Sequence, residues 1–171
     1  MIYRVVKYGD PVLETRAAEI ANFDTPDLHQ LVADMFETMY AHKGVGLAAP
    51  QIGLSQRLTV IDCSAGQDET QKVVLINPEI VHKEGQQIGE EGCLSIPGFR
   101  EDVKRAMKVT VRARNAAGEP VEITAEELLS RAIQHETDHL NGVLFLNHLS
   151  LLKRDLIRRK IRKLAKAGEW E

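Results

Sequence analysis

The sequence contains little cysteine, few aromatic residues and no long apolar run. Only two of its 171 residues are cysteines, and without a secretory signal this number does not support a disulfide-stapled scaffold. The opening segment, Met1 to Lys7, is too short and too charged for the apolar part of a signal peptide, and no stretch approaches the length of a membrane span. We therefore expect a cytoplasmic protein without a membrane contact.

The composition that remains is that of an ordinary globular protein. Hydrophobic residues make up 43% of the chain and charged residues 27%, which supplies enough apolar material for one sizeable core. The length predicts a single domain over residues 1–171.

Sequence patterns predict a mixed α and β protein. Thr25 and Pro26 are typical of a helix start, and the apolar residues after them recur at helical spacing. Strand patterns cover residues 58–62, 73–77, 80–83, 108–114 and 120–123. Because several of these strands follow one another without a helix between them, we expect an α+β fold with mostly antiparallel sheets. The sheets would pack around a central helix that carries two histidines, with a further helix in the N-terminal half and another at the C-terminal end.

The segment Gln134-His135-Glu136-Thr137-Asp138-His139-Leu140 places two imidazoles four residues apart. On a helix this spacing is about 400° of rotation, so both rings leave one face and can bind one metal ion. Glu136 would lie beside the ion as a candidate proton shuttle for water. A capping-box pattern at Thr124 and Glu127 predicts where the helix begins. Two histidines brought together by chance are the alternative.

A catalytic metal site of this kind needs a third protein ligand and one open position. Cys93 is the best candidate, because Gly89, Gly92 and a predicted turn at Pro97-Gly98 surround it and let the backbone approach a metal. Taken alone, Cys93 could equally be a buried structural thiol. Cys63 follows the strand pattern at 58–61 and is interpreted as a core residue at the strand end.

The segment from Gly44 to Gly53 is rich in glycine and contains the amide of Gln51. It lacks the Lys-Ser/Thr pair of a phosphate loop, so we interpret it differently. Gly46 would let a peptide lie against the main chain, and the Gln51 amide could donate to a developing oxyanion. A simple loop between a helix and a strand is the alternative.

Together these segments resemble the three motifs of peptide deformylases. The motifs stand here as Gly44-Val45-Gly46-Leu47-Ala48-Ala49-Pro50-Gln51, Glu91-Gly92-Cys93-Leu94-Ser95 and Gln134-His135-Glu136-Thr137-Asp138-His139-Leu140, in the family's order and approximate spacing. The resemblance extends over almost the whole chain and is closest to the compact bacterial type with a helical C-terminus. Pro50, Gly89 and Arg131 depart from the common pattern.

The resemblance implies a metal-dependent hydrolase that removes the N-formyl group from the formylmethionine of new polypeptides and releases formate. The implied metal ligands are Cys93, His135 and His139. The metal's charge would make water nucleophilic near neutral pH. Glu136 would accept the proton of that water and deliver it to the leaving nitrogen. The Gln51 amide, the Leu94 backbone N–H and the metal would stabilise the oxyanion.

The family's substrate site implies an apolar pocket for the methionine side chain and backbone contacts beyond it. The implied pocket residues are Val45, Leu128 and Ala132, and the implied backbone partners of the peptide are Val45, Gly46 and Gly92. Arg100 would lie near the pocket mouth, where it could contact the substrate backbone or a downstream carboxylate.

The identity of the metal stays open at this point. One thiolate and two imidazoles accept Zn²⁺, Fe²⁺, Ni²⁺ or Co²⁺, and the family suggests Fe²⁺ as the physiological ion. Two other functions also remain possible. The first is another zincin-type metallohydrolase with a third His or Glu ligand, and the second is a non-catalytic, ribosome-associated metal protein.

The apolar spacing within residues 149–168 predicts a basic C-terminal helix. Its apolar positions are Leu152, Leu156, Ile157, Ile161 and Leu164. Residues 153–171 hold eight Lys and Arg against three acids, a balance of +5, so the rest of the chain must be −8 to reach the total of −3. A solvated helical face is one interpretation. The resemblance favours docking on the ribosome near the exit tunnel, where formyl-Met nascent chains emerge. We expect no specific DNA binding.

Overall fold

Residues 1–170 are described by a computed structural model, which confirms the α+β class. The α-helices in this range are α1 (Pro26–Ala41), α2 (Glu127–Leu140) and α3 (Leu151–Lys166). The strands are β1 (Gly46–Ala48), β2 (Leu58–Ile61), β3 (Val73–Glu84), β4 (Gln87–Cys93), β5 (Ile96–Arg105), β6 (Lys108–Arg114) and β7 (Pro120–Glu126). Short 3-10 helices cover Pro11–Glu14, Ala49–Ile52, Glu69–Gln71 and Phe145–His148.

The strands form two antiparallel sheets, as predicted. The larger sheet has the order β1-β2-β3-β6-β7, and the smaller one is the hairpin of β4 and β5. Helix α2 packs against β1, β2, β6 and β7 of the larger sheet. It therefore lies at the centre of the fold, where its residues can meet both the sheet and the hairpin.

Three apolar clusters hold these elements together. Met35 and Met39 of α1 pack with Leu47 of β1 and Leu58 of β2. Ile133 of α2 packs against the valines of β6. The third cluster joins Phe145, Ile157 and Ile161 to the β4–β5 hairpin. Because burial of an apolar side chain contributes about 1.5–3 kcal/mol, these clusters set the relative positions of the elements.

The start of α1 confirms its sequence signal. Thr25 is the N-cap residue, and its hydroxyl accepts a hydrogen bond from the Leu28 N–H at 3.1 Å. Pro26 occupies the first helical position, where its missing N–H costs nothing.

The predicted start of α2 is wrong. Thr124 does not cap the helix, because it belongs to β7 and pairs its hydroxyl with that of Thr110 at 3.0 Å. The β6–β7 ladder continues to Glu126, and the helix begins immediately afterwards at Glu127 with a φ of 53° and no side-chain cap. Strand pairing therefore takes the residues that the local pattern assigned to a cap.

The β4–β5 hairpin is absent from the predicted strands. The turn expected at Pro97-Gly98 is also misplaced, because both residues lie within β5 and the chain reverses at Leu94-Ser95. Glycines and charged residues in β4 obscure the alternation that marks a strand. A similar error divides β3, which runs unbroken through Pro78 with a register shift between Ile76 and Glu79.

Helix α3 begins one residue after its N-cap Ser150, close to the predicted boundary. Its buried face is narrower than expected: Ile157 and Ile161 are buried, whereas Leu152 and Leu156 are 71% and 46% exposed. The five apolar residues named from the sequence therefore do not share one buried face: they lie partly on the packed side of the helix and partly on its exposed side. Within residues 1–170, no helix is both long enough and apolar enough to cross a membrane.

The C-terminal end of α2 is held by a buried guanidinium. Arg57, which is 5% exposed, donates to the Leu140 carbonyl at 2.8 Å and to the Asn141 side chain at 3.0 Å. A positive group at this end also complements the helix dipole. Arg57 thus anchors the last turn of the helix, next to His139.

We predict that Arg57→Ala lowers the free energy of unfolding by about 2–4 kcal/mol, because it removes two hydrogen bonds and leaves a buried carbonyl without its donor. Urea unfolding measures this change. Arg16→Ala is the matched control, since Arg16 is exposed and bonds the same Asn141 oxygen at 3.3 Å. The control should change stability by less than about 0.5 kcal/mol. Equal losses in the two variants would show that the end of α2 does not depend on Arg57.

Candidate metal and peptide site

Helix α2 and the β4–β5 hairpin bring together three side chains that can each donate to a metal ion. The Nε2 atoms of His135 and His139 lie 3.2 Å apart, and Cys93 Sγ is 3.4 Å from His139 Nε2. The donor atoms of these three residues all lie within 4.8 Å of one another, and both histidines are buried. A thiolate and two imidazoles that converge in this way form a donor set suited to a divalent transition metal.

Glu91 orients the first of these histidines. Its Oε1 lies 2.9 Å from His135 Nδ1, so an N–H at Nδ1 leaves the Nε2 lone pair directed at the other donors. Burial alone would raise the pKa of Glu91, but the hydrogen bonds from Arg105 and His135 hold that pKa well below its usual value. The carboxylate is therefore charged at neutral pH.

Two arginines surround Glu91 on its other sides. Arg105 binds both carboxylate oxygens, at 2.8 and 2.9 Å, and Arg131 Nη1 donates to Oε2 at 2.5 Å. Arg105 also reaches Asp138 at 2.6 Å, and Asp138 bonds His148 at 2.8 Å. Sequence reasoning missed these partners, although Arg131 stood out as a departure one turn before His135.

The two histidines differ in proton affinity. Burial disfavours the His135 cation, yet its contacts with Cys93 and Glu91 hold its pKa well above the ordinary value. Burial and the neighbouring His135 charge lower the pKa of His139. Because imidazole must be neutral to bind a metal, metal binding competes with protonation of both rings.

Glu136 lies beside the three donors in a buried position. Its Oε1 has no hydrogen-bond partner within the described part of the chain. Burial raises its pKa to about 7, against the opposing effect of His135. A Cβ at Gly46 would lie 2.5 Å from Glu136 Oε2, so only glycine leaves room for this carboxylate. Gly46 therefore has a steric role beside Glu136 that the sequence did not suggest.

Gln51 reaches the same place from the opposite side. The segment Gly46–Ala48 forms β1 and Ala49–Ile52 a 3-10 helix, so the alternative of a simple loop is wrong. The Gln51 Oε1 accepts the Ala48 N–H at 2.9 Å, which fixes the amide orientation. Its Nε2 then lies 3.4 Å from Cys93 Sγ and 3.3 Å from Ser95 Oγ. The amide donor is thus directed at the metal-binding group.

A cavity of about 520 Å³ opens onto these groups. All six residues expected to bind substrate line it: Val45, Gly46, Gly92, Arg100, Leu128 and Ala132. Leu128 is 51% exposed and so lies at the mouth. Arg100 extends across Gly92 and pairs with Glu90 at 2.6 Å, a partner that the sequence did not suggest. Cys63 lies outside this cavity and packs against the cluster that contains Ile61 and Leu75.

Comparison with known proteins gives a consistent result. The family model described as polypeptide deformylase matches residues 2–155. A peptide deformylase from Acidobacterium capsulatum is 61% identical over 170 residues, which cover 99% of each chain. One from Alkalilimnicola ehrlichii is 50% identical, over 98% of this chain and 93% of the relative. The crystal structure of a peptide deformylase from Legionella pneumophila, 47% identical, superimposes with a TM-score of 0.91 over 100% of this chain and 99% of that one.

We predict that Glu91→Gln weakens metal binding by roughly 10–100-fold, the effect typical of losing a partner that orients a metal-bound histidine. Competition with a chelator, followed by elemental analysis of the folded protein, measures the change. Glu90→Gln is the matched control, because Glu90 is the exposed neighbour of Glu91 and forms its ion pair with Arg100. Metal retention equal to that of the unsubstituted protein in Glu91→Gln would contradict the assigned role.

Proposed function

The chain belongs to the polypeptide deformylase family, and from this premise we propose how its site performs the family's reaction. The protein is a metal-dependent hydrolase that removes the N-formyl group from formyl-methionyl peptides and releases formate and a free amine. The observation that carries the residue assignments is the convergence of Cys93, His135 and His139 beside a buried carboxylate in one open cavity.

Cys93, His135 and His139 are the proposed ligands of one divalent metal ion. Such an ion supplies positive charge that acidifies water and polarises the formyl oxygen. Glu91 keeps His135 in the tautomer that ligation needs, and Cys93 acts as a ligand and not as a nucleophile. No covalent acyl-enzyme is required, which distinguishes this scheme from cysteine hydrolases.

Glu136 is the proposed general base and acid. It accepts a proton from the attacking water as the new C–O bond forms, and it delivers that proton to the leaving nitrogen as the C–N bond breaks. A pKa of about 7 suits both halves of this transfer, because the group then gives and takes a proton near neutral pH. Its unpartnered Oε1 supports this role, since a buried carboxylate oxygen requires a donor.

Gln51 and Leu94 are the proposed donors to the oxyanion that forms when the formyl carbon becomes tetrahedral. The Gln51 Nε2 lies near Cys93 Sγ and Ser95 Oγ. One of its two N–H groups must therefore share its hydrogen bond between its present partner and the oxyanion, or give it to the oxyanion alone. The Leu94 N–H comes from the two-residue turn after Cys93. A preorganised pair of this kind acts mainly in the transition state.

The substrate site follows from the lining of the cavity. We propose that Val45, Leu128 and Ala132 receive the methionine side chain. Val45, Gly46 and Gly92 would bind the peptide backbone, since the two glycines leave the main chain accessible. Arg100 at the mouth would contact the downstream chain after it separates from Glu90. An exposed ion pair of this type costs less than about 1 kcal/mol to break.

The other two functions have less support. A zincin with a third His or Glu ligand leaves the position of Cys93 unexplained, because its sulfur is one of the three converging donors. A non-catalytic metal protein leaves the Glu136 carboxylate and the Gln51 amide without a purpose beside the donors. We therefore propose one catalytic domain over residues 1–171, which acts in the cytoplasm where formylated nascent chains arise.

We predict that Glu136→Ala retains the metal but loses deformylation by at least about 10²-fold, the typical contribution of a general acid–base group. Formate release from a formyl-Met peptide measures activity, and elemental analysis verifies the metal content. The assignment of Glu136 would be wrong if the metal-replete variant hydrolysed the peptide at a near-normal rate.

Fe²⁺ is the proposed physiological metal, with Zn²⁺, Ni²⁺ and Co²⁺ as possible substitutes. If the site holds Fe²⁺, we predict that air or peroxide inactivates the protein and that the Ni²⁺ form lasts longer, because a thiolate ligand beside an oxidisable ion is a vulnerable centre. Anaerobic purification with elemental analysis, followed by timed exposure to air, makes the measurement. Equal lifetimes for the iron and nickel forms would contradict the prediction.

Helix α3 is the proposed ribosome contact of the protein. Its exposed cations include Arg159, Lys160, Arg162 and Lys163, which can meet phosphate groups on RNA. Deletion of α3 after Ser150 would not test this contact cleanly, since Ile157 and Ile161 are buried in the cluster that contains Phe145. Arg158 is also unsuitable for substitution, because it donates to the Tyr8 hydroxyl at 3.0 Å.

We predict that replacing Arg159, Lys160 and Arg162 with Glu weakens co-sedimentation with ribosomes and reduces its salt dependence, because fewer counterions are released. Hydrolysis of a free formyl-Met peptide should stay unchanged and serves as the control for folding. If the folded variant still co-sediments with unchanged salt dependence, this face of α3 is merely solvated.

A further inference from the structure

Trp170 lies beyond the end of α3 and packs back against the body of the protein. It is the only tryptophan in the sequence. Its indole Nε1 donates to the Tyr8 carbonyl at 2.8 Å, and its ring meets the Phe99 ring edge-on with the centroids 6.2 Å apart. Arg158 donates to the hydroxyl of the same tyrosine at 3.0 Å. Tyr8 is therefore held at its backbone by Trp170 and at its side chain by Arg158 from the middle of α3.

Tyr8 is bonded in turn to the segment that carries Leu94. Its N–H donates to the Ser95 carbonyl at 2.8 Å, and the Val6 N–H donates to the Gln51 carbonyl at 2.8 Å. The hydroxyl of Ser95 also lies 3.3 Å from Gln51 Nε2. The segment from Val6 to Tyr8 thus connects the two parts of the chain that provide the proposed oxyanion donors.

Phe99 provides a second connection between Trp170 and the site. It lies on β5 between Gly98 and Arg100, and all three residues line the 520 Å³ cavity. The Phe99 ring packs on the same apolar cluster as Ile157 and Trp170. The indole therefore supports one wall of the cavity from behind, in addition to its hydrogen bond.

From these contacts we infer that Trp170 is a positioning residue, which acts through Tyr8 to fix the Leu94-Ser95 turn relative to Gln51. The inference rests on the proposed function, because it concerns the donors to the oxyanion. Such donors are effective only within about 2.7–3.1 Å of the developing charge. A small displacement of the turn therefore slows the chemical step and leaves ground-state binding of the peptide unchanged.

The test compares Trp170→Ala with Trp170→Phe and with Lys166→Ala, an exposed control on α3. Each variant is loaded with Ni²⁺ and assayed with a formyl-Met tripeptide, at a temperature well below the thermal unfolding midpoint of that variant. Trp170→Ala should lower kcat by roughly 10-fold, with metal content unchanged and any rise in KM smaller than the fall in kcat, the pattern of an interaction made mainly in the transition state. Trp170→Phe keeps an aromatic ring but not the N–H, so it should lie between Trp170→Ala and the unsubstituted protein. Lys166→Ala should have the same kcat and KM as the unsubstituted protein.

A second measurement separates positioning from a merely structural role. In a Gln51→Ala background one oxyanion donor is already absent, so the loss caused by Trp170→Ala should be smaller than in the unsubstituted protein. An equal loss in both backgrounds, an unchanged kcat, or a rise in KM alone would overturn the inference. Failure of the unsubstituted, metal-loaded protein to release formate would instead refute the proposed function.

Discussion

The buried carboxylate of Glu91 is the interaction on which the site depends. It accepts hydrogen bonds from Arg105 on β5 and from Arg131 and His135 on α2. A buried charge is very unfavourable unless all its partners are in place, and removal of one partner typically costs about 3–5 kcal/mol. The β4–β5 hairpin and α2 are therefore locked in one relative position. Cys93 belongs to the first element and the two histidines to the second, so this lock also fixes the distances among the three donor atoms.

Apolar packing and polar contacts make different contributions to this arrangement. The clusters around Met35, Ile133 and Phe145 determine which elements lie beside each other, because burial is favourable in many orientations. Hydrogen bonds to Glu91 then select one orientation from these. Gly46 completes the arrangement in a third way, since the absence of a side chain makes space for the Glu136 carboxylate. The site thus depends at the same time on the Glu91 charge, on the packing of the apolar clusters and on the space that Gly46 leaves for Glu136.

Much of the candidate site could be predicted because its signals are local. The spacing of His135 and His139 depends only on helix geometry, and the glycine-rich segment before Gln51 is continuous in the sequence. Arg105 and Arg131 could not be found in this way, because they are 14 and 40 residues from Glu91. The fold shows the same division. Helix α1 and strand β6 have clear local patterns, whereas β4 is recognisable as a strand only through its pairing with β5.

Helix α3 has one face packed towards the site and one face exposed to solvent. Its buried residues Ile157 and Ile161 pack with Phe145, whose ring stacks on His135 at a centroid distance of 6.4 Å. Its exposed residues include Leu152 and the cations Arg159, Lys160 and Arg162, which lie outside that apolar cluster. A partner bound to the exposed face would therefore leave the packed face intact, and catalysis could continue during docking. Since the two faces belong to one rigid helix, a partner that tilted α3 would instead move Phe145 and, through it, the first metal-binding histidine. If α3 is the docking element, the angle of the helix, and not the strength of the contact, would decide whether docking affects catalysis.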